Sequence, residues 1–520
     1  MSDIAICFVI LGVTVVVFVI DRLPVSIVAI GVALSLWATG LLELDQALGG
    51  FGDPTVLFIA SLFVVSEALD SAAVTTWAGQ RLSERAGDNR TRLIVLTMLL
   101  VAGVTALISV NGAVAALLPM TVVMVVGLGR MPSQFLMPLA FGAHAGSLLA
   151  LTGTPVNVIV SEAAADAGVG AFGFVEFALV GLPLVAGTIV IVLLFGERLL
   201  PVRAARSIPR DLSDHARVLA GEYGLAGAEE PLMTRTAGLA EVVIPPRSGL
   251  IGQTMFPGMV TESGDLVVVA VQRDGEQLQG DSELAVGDTL LLRGSWAALD
   301  ENLDDPDVLV VDRPDAIRRQ AVPLGPGAKR AIVVLAGMVV LLATGAVPPA
   351  VAGLLAAAAM VLSGVLSMDQ AYRGISWTTV ILVGGMIPLS TAMIETGAAE
   401  KLAEGLVSMV GDAGPRALVL GLVVLTFALG QLISNMATAL IVIPIAVTAA
   451  ADIGVSPKPV LMAVAVAAAA SFLTPVATPA NLMVMGPGGY RFGDYWKLGL
   501  PLILLFGVVA VLLVPVIWSF

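Results

Sequence analysis

Long apolar segments recur along this chain, and each has about the length of a helix that crosses a membrane. Residues 4–20 and residues 501–518 contain no charged side chain at all. A bilayer core is spanned by about 20 predominantly apolar residues in helical conformation. The pattern therefore predicts an all-α polytopic membrane protein, with residues 4–20 as its first retained span. A signal peptide is not favoured there, because only Asp3 precedes the segment and no basic region does.

The composition supports this class and excludes several others. Of the 520 residues, 58% are hydrophobic and 13% are charged, whereas ordinary soluble domains are about a quarter charged. The single cysteine, Cys7, lies inside the first apolar segment, so neither a disulfide framework nor a thiolate metal site is expected. We predict that Cys7 only fills space, and that the protein is not an enzyme and has no cofactor.

A polar insert separates two apolar regions. Residues 211–315 hold half of the chain's 40 acidic residues, and such an acidic surface argues against nucleic acid binding, which needs a basic footprint. The ends of the insert are basic, which favours a cytoplasmic position. We predict transmembrane repeats at residues 1–204 and 329–520, and a cytoplasmic insert at residues 205–328. The flanking basic residues are Arg203, Arg206, Arg210, Arg318, Arg319, Lys329 and Arg330.

Inside the insert the period changes to short strands with turn residues between them. Strands are predicted at residues 240–245, 265–273, 288–294 and 307–311, and a helix with a Ser N-cap at residues 295–303. Residues 238–311 resemble an RCK C-terminal (TrkA-C) domain, which implies a small α+β fold, a homodimer and a small regulatory ligand. Nucleotide sensing is not expected, because no G-x-G-x-x-G motif lies between a strand and a helix in the insert. A dimerising strut without any ligand remains open.

The two apolar regions repeat each other at one constant separation. Asp45-Gln46-Ala47 recurs as Asp369-Gln370-Ala371, and the same separation relates Ser147, Thr154, Pro155 and Asn157 to Ser471, Thr478, Pro479 and Asn481. Inverted repeats of this kind are typical of secondary transporters, which bind substrate near the midplane between discontinuous helices. We therefore predict two inverted repeats with breaks at matching positions.

Two pairs of breaks are predicted. The first pair is a polar turn before a long apolar helix, at residues 108–119 and 433–444, typical of re-entrant hairpins. The second is Thr-Pro-x-Asn, because proline favours the first turn of a new helix and pushes the preceding residue out of the α region. We expect Ser147 and Thr154 to share one helical face, and Asn157 and Asn481 to brace the breaks. Freed N–H groups suit an anion and freed oxygens suit Na⁺.

These motifs resemble the divalent anion:sodium symporter family of the ion transporter superfamily. The likeness covers both membrane halves and includes a repeated Gly-Leu-Pro-Leu at Gly181 and Gly499. It implies Na⁺-coupled symport of a dicarboxylate or sulfate across the plasma (inner) membrane, with membrane lipid around a homodimer. Met436 stands where the family has Thr, and Val110-Asn111 where it has Asn-Thr, so the anion and the number of sodium ions stay open. The implied substrate-binding residues are Asn111, Thr154, Pro155, Asn435, Met436, Thr478 and Pro479, and the implied Na⁺ residues are Ser109, Gly153, Ser434, Asn435 and Ala477.

Two other functions remain open. Glu67, Asp70 and Glu395 lie late in apolar segments, and acids within spans are candidates for ion or proton transfer; they favour a cation/proton or metalloid exchanger of the same superfamily. A sensor, in which the membrane part only anchors the insert, is the third. His144 has Ala468 at its matched position and is expected to be a packed side chain, and Gln431 to reach the cavity.

Overall fold

The computed structural model describes residues 2–20, 22–74, 77, 81, 89–203, 219, 221–223, 233–234, 237–261, 263–278, 280–303, 305–312, 325, 327–410, 414–475 and 477–520. The chain divides into two compact units. The first consists of Met1–Ala68, Gly79–Pro209 and Ile332–Phe520, and the second of Leu69–Ala78 and Arg210–Ala331.

The first unit is helical. Before the insert its helices are α1 Asp3–Ile20, α2 Val25–Ala38, α3 Leu44–Gly49, α4 Pro54–Ser71, α5 Arg90–Leu107, α6 Val110–Gly127, α7 Leu136–Gly146, α8 Pro155–Asp166 and α9 Ala178–Leu199. After the insert they are α11 Ala328–Thr344, α12 Pro349–Leu362, α13 Met368–Gly374, α14 Trp377–Glu395, α15 Ala398–Val410, α16 Pro415–Gly430, α17 Asn435–Asp452, α18 Pro457–Ala468, α19 Pro479–Met485, α20 Tyr495–Val508 and α21 Val514–Ile517.

Among the described residues, 7 helices are long and apolar enough to cross a membrane, and α1 is one of them. Many of their large apolar side chains are exposed, for example Val13 on α1 and Leu194 on α9. Exposed apolar surface of this extent is typical of helices that face lipid. Cys7 is buried within α1, in agreement with a packing role.

Matching capping contacts occur in the two halves. Gln46 accepts a hydrogen bond from the backbone N–H of Glu43 at the start of α3 (3.1 Å), and Gln370 accepts one from Ser367 at the start of α13 (3.0 Å). Each is the returning half of a capping box, which satisfies a backbone donor at a helix start. The repeated Asp-Gln-Ala sequence therefore forms the same local structure twice.

The second unit contains an antiparallel five-stranded sheet in the order β4-β3-β6-β1-β7. Alternating apolar side chains, among them Val242, Val268, Leu290 and Leu292, are buried and form its core. The helix α10, Trp296–Asn302, begins after Ser295, whose hydroxyl accepts from the N–H of Ala298 (3.1 Å), and this confirms the predicted N-cap. The strands are β1 Ala237–Val243, β2 Thr254–Met255, β3 Leu266–Arg273, β4 Glu276–Gln277, β5 Ser282–Glu283, β6 Thr289–Ser295 and β7 Leu309–Val310.

The predicted strands differ from the observed ones mainly at their ends. The first strand begins earlier than predicted, at Ala237. It also ends earlier, at Val243, because Pro245 has no N–H to continue the ladder. The last is shorter, with two residues paired to β1. A tight hairpin connects β3 to β4, and its Asp274 and Gly275 both have positive φ (52° and 82°), as a type I′ turn requires.

Candidate functional site

Both Thr-Pro-x-Asn sequences interrupt the helices as predicted. Helix α7 ends at Gly146, and α8 starts at Pro155 with Thr154 as its N-cap. Helix α18 ends at Ala468, and α19 starts at Pro479 with Thr478 as its N-cap. The two segments between these helices, residues 147–154 and 469–478, are the first break and the second break.

One prediction about the first break is wrong. Ser147 and Thr154 do not share a helical face, because α7 ends before Ser147 and only the short 3₁₀ turn Leu151–Gly153 follows. The Ser147 hydroxyl instead donates to the carbonyl of His144 (2.8 Å). The Thr154 hydroxyl accepts from the N–H of Val156 at the start of α8 (3.4 Å).

Asn157 and Asn481 brace the breaks, as expected. The Asn157 amide nitrogen donates to the carbonyls of Ser147 (2.8 Å) and Ala150 (2.9 Å). The Asn481 amide nitrogen donates to Ser471 (2.8 Å) and Thr474 (3.0 Å). Both asparagines are fully buried. The acceptors occupy matching positions, so one side-chain device satisfies the same freed carbonyls in each half.

The two predicted hairpins have matching tips. Ser109 caps α6 by accepting from the N–H of Gly112 (3.2 Å), and Ser434 caps α17 by accepting from Ala437 (3.3 Å). Helix α6 packs against α7 of its own half and α19 of the other half, whereas α17 packs against α18 and α8. Each hairpin helix therefore packs against one helix that flanks the first break and one helix that flanks the second break.

The implied site residues lie at these four helix starts. Asn111 and Pro479 are exposed, whereas Gly153, Ala477 and Thr478 are buried. The remaining implied residues are half-buried; they are Ser109, Thr154, Pro155, Ser434, Asn435 and Met436. The Ser471 hydroxyl donates to Asn435 Oδ1, which joins the second hairpin tip to the second break. In the first half, the Thr152 hydroxyl donates to the carbonyl of Ala106 (2.8 Å).

Two further residues hold the second break in place through side-chain hydrogen bonds. The Gln431 side chain donates to the carbonyl of Ala470 (3.1 Å) and accepts from the N–H of Leu473 (2.9 Å). His144 is buried on α7, with Nε2 3.2 Å from Thr478 Oγ1 and 3.3 Å from Asn481 Oδ1. It links the helix before the first break to the second break. Its lack of a repeated counterpart was the only sequence signal for such a role.

The repeated Gly-Leu-Pro-Leu motif has a packing reason. A Cβ atom at Gly181 would overlap the carbonyl oxygen of Leu148, and one at Gly499 would overlap that of Phe472. Leu148 and Phe472 occupy matching positions, directly after Ser147 and Ser471. Close approach of α9 and α20 to the two breaks therefore requires glycine in both halves.

An acidic cavity of about 330 Å³ lies between α4, α8, α14 and α17. Its carboxylates are Asp53, Glu162, Asp166 and Glu395, and hydroxyls of Thr55, Ser390 and Thr391 also line it. Glu395 accepts from the Gln46 amide (3.3 Å). Glu67 and Asp70 are not among the lining residues. The described residues contain no group of three His, Cys, Asp or Glu side chains arranged to hold a metal ion.

Apolar helices with breaks at matching positions define this protein as a multi-pass membrane transporter. The chain matches the family model described as "CitMHS: Citrate transporter" over residues 15–466 and 408–520. It belongs to this citrate transporter family, within the ion transporter superfamily.

Individual relatives agree with this family. "Uncharacterized transporter YfbS" of Escherichia coli is 30% identical, and the alignment covers 98% of each chain. "Sodium/sulfate cotransporter 1" of Chlamydomonas reinhardtii is 28% identical over 51% of this chain and 31% of its own length. The crystal structure of the Alcanivorax borkumensis YdaH transporter has a similar fold, with a TM-score of 0.50 at 15% identity, over 99% of this chain and 97% of that one.

Proposed function

We propose that this protein is a secondary transporter that carries a divalent anion into the cell together with Na⁺, across the plasma (inner) membrane. The observation that carries the proposal is the matched pair of breaks, each closed by a buried asparagine and each followed by a capped helix start. Two inverted repeats would produce this duplication and would place the four helix starts around one site.

The anion would bind to helix N-termini and hydroxyl groups rather than to a cationic side chain. The first N–H groups of α6, α8, α17 and α19 have no acceptor within their own helices, and a helix N-terminus favours negative charge. The four motifs contain no Lys or Arg. Thr154, Thr478 and the two hairpin serines would add hydroxyl donors.

Sodium would bind to neutral oxygens at the same breaks. The breaks leave backbone carbonyls outside helices, and the Ser109, Ser434 and Asn435 side chains supply further oxygens, which suit a hard cation. The amide nitrogens of Asn157 and Asn481 each donate one hydrogen bond to the carbonyl oxygens of Ser147 and Ser471, respectively. A carbonyl oxygen has two lone pairs, so these contacts leave room for a second partner.

The descriptions of the family and of its relatives suggest citrate and sulfate as candidate substrates. The family is described as transporting citrate, and one partial relative as cotransporting sodium and sulfate. We propose sulfate as the first substrate to test and dicarboxylates or citrate as the second. All of them carry two or more negative charges on oxygens that accept hydrogen bonds.

The test is uptake of labelled sulfate by proteoliposomes that contain the purified protein. We expect accumulation with an inward Na⁺ gradient and none when Na⁺ is replaced by K⁺. Unlabelled succinate and citrate, added as competitors, would rank the substrates. Sulfate uptake that ignores the Na⁺ gradient would rule out Na⁺ coupling, and the absence of uptake for every one of these anions would overturn the proposal.

The acidic cavity supports a second candidate, a cation/proton or metalloid exchanger. Four carboxylates around one cavity attract cations and repel a free divalent anion. Replacing Asp53, Glu162 and Glu395 by their amides should then abolish flux driven by a pH gradient. The same variants should leave Na⁺-driven sulfate uptake active if the cavity only concentrates Na⁺ at the entrance.

For the insert we propose a cytoplasmic RCK C-terminal domain that makes the protein a homodimer and regulates the transport rate. Its five-stranded sheet and capped helix support this likeness. Deleting residues 238–311 should convert a dimer into a monomer in detergent, as measured by light scattering. An unchanged mass and unchanged flux would contradict both roles.

A further inference from the structure

His144 connects the first half of the transporter to the second break. The ring is 1% exposed and lies edge-on to Phe472, with centroids 5.8 Å apart. Its Nε2 atom is within hydrogen-bond distance of Thr478 Oγ1 and Asn481 Oδ1. Thr478 is the N-cap of α19, and Asn481 is the brace of the second break.

The hydrogen-bond network fixes which ring nitrogen carries the proton. The Asn481 amide nitrogen already donates to two carbonyls, so the oxygen of that amide faces His144. An amide oxygen only accepts hydrogen bonds, and therefore Nε2 must donate. Within the described residues, Nδ1 is buried and has no partner. A proton there would be a buried donor without an acceptor, so the neutral Nε2–H tautomer fits the site.

This arrangement determines what the Thr478 hydroxyl can do. Its oxygen faces the backbone N–H of Asn481 (3.4 Å) on one side and the donating Nε2 of His144 (3.2 Å) on the other. The one Nε2–H is shared between this oxygen and Asn481 Oδ1 as a three-centre hydrogen bond, so both lone pairs of the hydroxyl face donors. The hydroxyl hydrogen remains free to donate.

The first break lacks this device. Ala468 occupies the position that matches His144, and α18, which contains it, packs against α8. Accordingly, Asn157 Oδ1 is buried without a partner in the part of the chain that the structure describes. Among the described residues, the Thr154 hydroxyl accepts from the N–H of Val156. The first break thus keeps oxygen lone pairs available, whereas the second break presents a donor.

We propose that His144 is a positioning residue for anion specificity: it holds the Thr478 hydroxyl as a hydrogen-bond donor and so commits the second break to the anion. The inference rests on the proposed function, because it assumes an anion between the breaks. It adds that the two halves of a repeated structure have unequal roles, and that one unrepeated residue makes them unequal.

The test compares His144→Leu with His144→Gln in sulfate uptake by proteoliposomes. Leucine removes the donor, and glutamine offers an amide N–H at about the reach of Nε2. We expect His144→Leu to raise the KM for sulfate about tenfold, the effect of losing one hydrogen bond of ordinary strength. In the same His144→Leu variant, the Na⁺ concentration that gives half-maximal uptake should change by less than about twofold. His144→Gln should restore most of the sulfate affinity, and His144→Asn, whose amide is shorter, should restore less.

A double-mutant cycle shows whether His144 acts through Thr478. Thr478→Val should raise the sulfate KM in the wild-type background and have little further effect in the His144→Leu background. Additive effects would overturn the inference, as would an unchanged KM in His144→Leu or equal loss in the Gln and Leu variants. If the leucine variant does not fold, the Gln and Asn variants carry the same comparison, and equal sulfate KM values for these two would overturn it.

Failure of the two proposals would look different. Wild-type protein that takes up none of sulfate, succinate and citrate would overturn the proposed function and this inference together. Wild-type protein that takes up sulfate with Na⁺, alongside a His144→Leu variant with the same sulfate KM, would overturn the inference alone. A variant with reduced maximal rate and unchanged KM for both ions would indicate a purely structural role, and would also overturn it.

Discussion

In the first and second breaks, an asparagine pairs with the backbone carbonyls in the same way, but the other side chains around the two breaks differ. Asn157 and Asn481 each donate to two freed carbonyls. The second break has further polar partners in His144 and Gln431, whereas the hydroxyl of Thr152 joins the first break to its hairpin. The repeated residues thus determine the path of the chain. The unrepeated residues determine how many hydrogen-bonding groups each half leaves available for a ligand.

Removal of the bracing asparagines should have the largest effect, and the effect should be unequal. Asn481→Ala leaves the carbonyls of Ser471 and Thr474 without their donor. It also removes one of the two acceptors of the His144 Nε2–H, which keeps Thr478 Oγ1. Each buried group left unpaired costs about 1–3 kcal/mol, so we expect a loss of about 3 kcal/mol or more. Asn157→Ala leaves two carbonyls unpaired and should cost about 1 kcal/mol less. Thermal unfolding in detergent measures both.

Leu482→Ala provides the control, because Leu482 lies next to Asn481 and is exposed. It should unfold at nearly the wild-type temperature. Both asparagine variants should lose sulfate uptake. If they transport normally, the breaks are not part of the transport site. Equal destabilisation of the two variants would contradict the unequal roles assigned to the breaks.

The paired glycines should show the opposite behaviour, with equal effects in the two halves. Gly181→Ala and Gly499→Ala each place a methyl group against a backbone carbonyl. Overpacking of this kind costs about 1–3 kcal/mol, and it should push α9 or α20 away from the adjacent break. We expect both variants to unfold at lower temperature and to transport more slowly.

Gly337→Ala on α11 is the matched control, since a Cβ atom there would have nothing within 4 Å. It should leave stability unchanged or raise it slightly, because alanine favours helix. If only one of the two motif glycines were sensitive, the packing around the two breaks would not be equivalent.

The repeated elements were the predictable part of this molecule. Thr-Pro-x-Asn predicted the helix starts at Pro155 and Pro479, because proline and the residue before it constrain the local backbone. Contacts between the halves were not predictable, since they depend on which helices pack together. The packed position of His144 was expected, whereas its contacts with Thr478 and Asn481 in the other half were not. The acidic cavity was missed for the same reason: Asp53, Glu162 and Glu395 are far apart in sequence and meet only through tertiary packing.

Gln431→Ala makes the second half resemble the first and should have a moderate effect. Ala106 stands at the same distance before its capping serine as Gln431 does before Ser434. The variant loses hydrogen bonds to the Ala470 carbonyl and the Leu473 N–H. Gln431 is only half-buried, and water can replace part of these bonds, so we expect a loss of about 1–2 kcal/mol. Sulfate uptake should persist at a reduced rate. Complete loss of uptake with normal folding would indicate that Gln431 contacts the substrate.

The insert differs from both breaks because a charged pair supports its buried polar group. Arg273 donates to both carboxylate oxygens of Asp288 (2.7 Å each), and the N–H of Ala285 also donates to that carboxylate (2.7 Å). Asp288 is fully buried. The hydrogen bonds from Arg273 hold the pKa of Asp288 below its ordinary value. Loss of this carboxylate should therefore affect the insert and leave both breaks unchanged.

A group with a lowered folded-state pKa stabilises the fold above its unfolded pKa, which is about 4 for Asp, and that stabilisation is lost as pH falls through the folded pKa. We expect Asp288→Asn to speed amide hydrogen exchange in β3 and β6 of the full-length protein at pH 7. After correction for intrinsic exchange rates, the difference from wild type should shrink as the pH falls below the ordinary Asp value. Peptides that cover α8 and α19 should show no such change. A constant difference at every pH would mean that Asp288 acts through its shape and hydrogen bonds alone, without its charge.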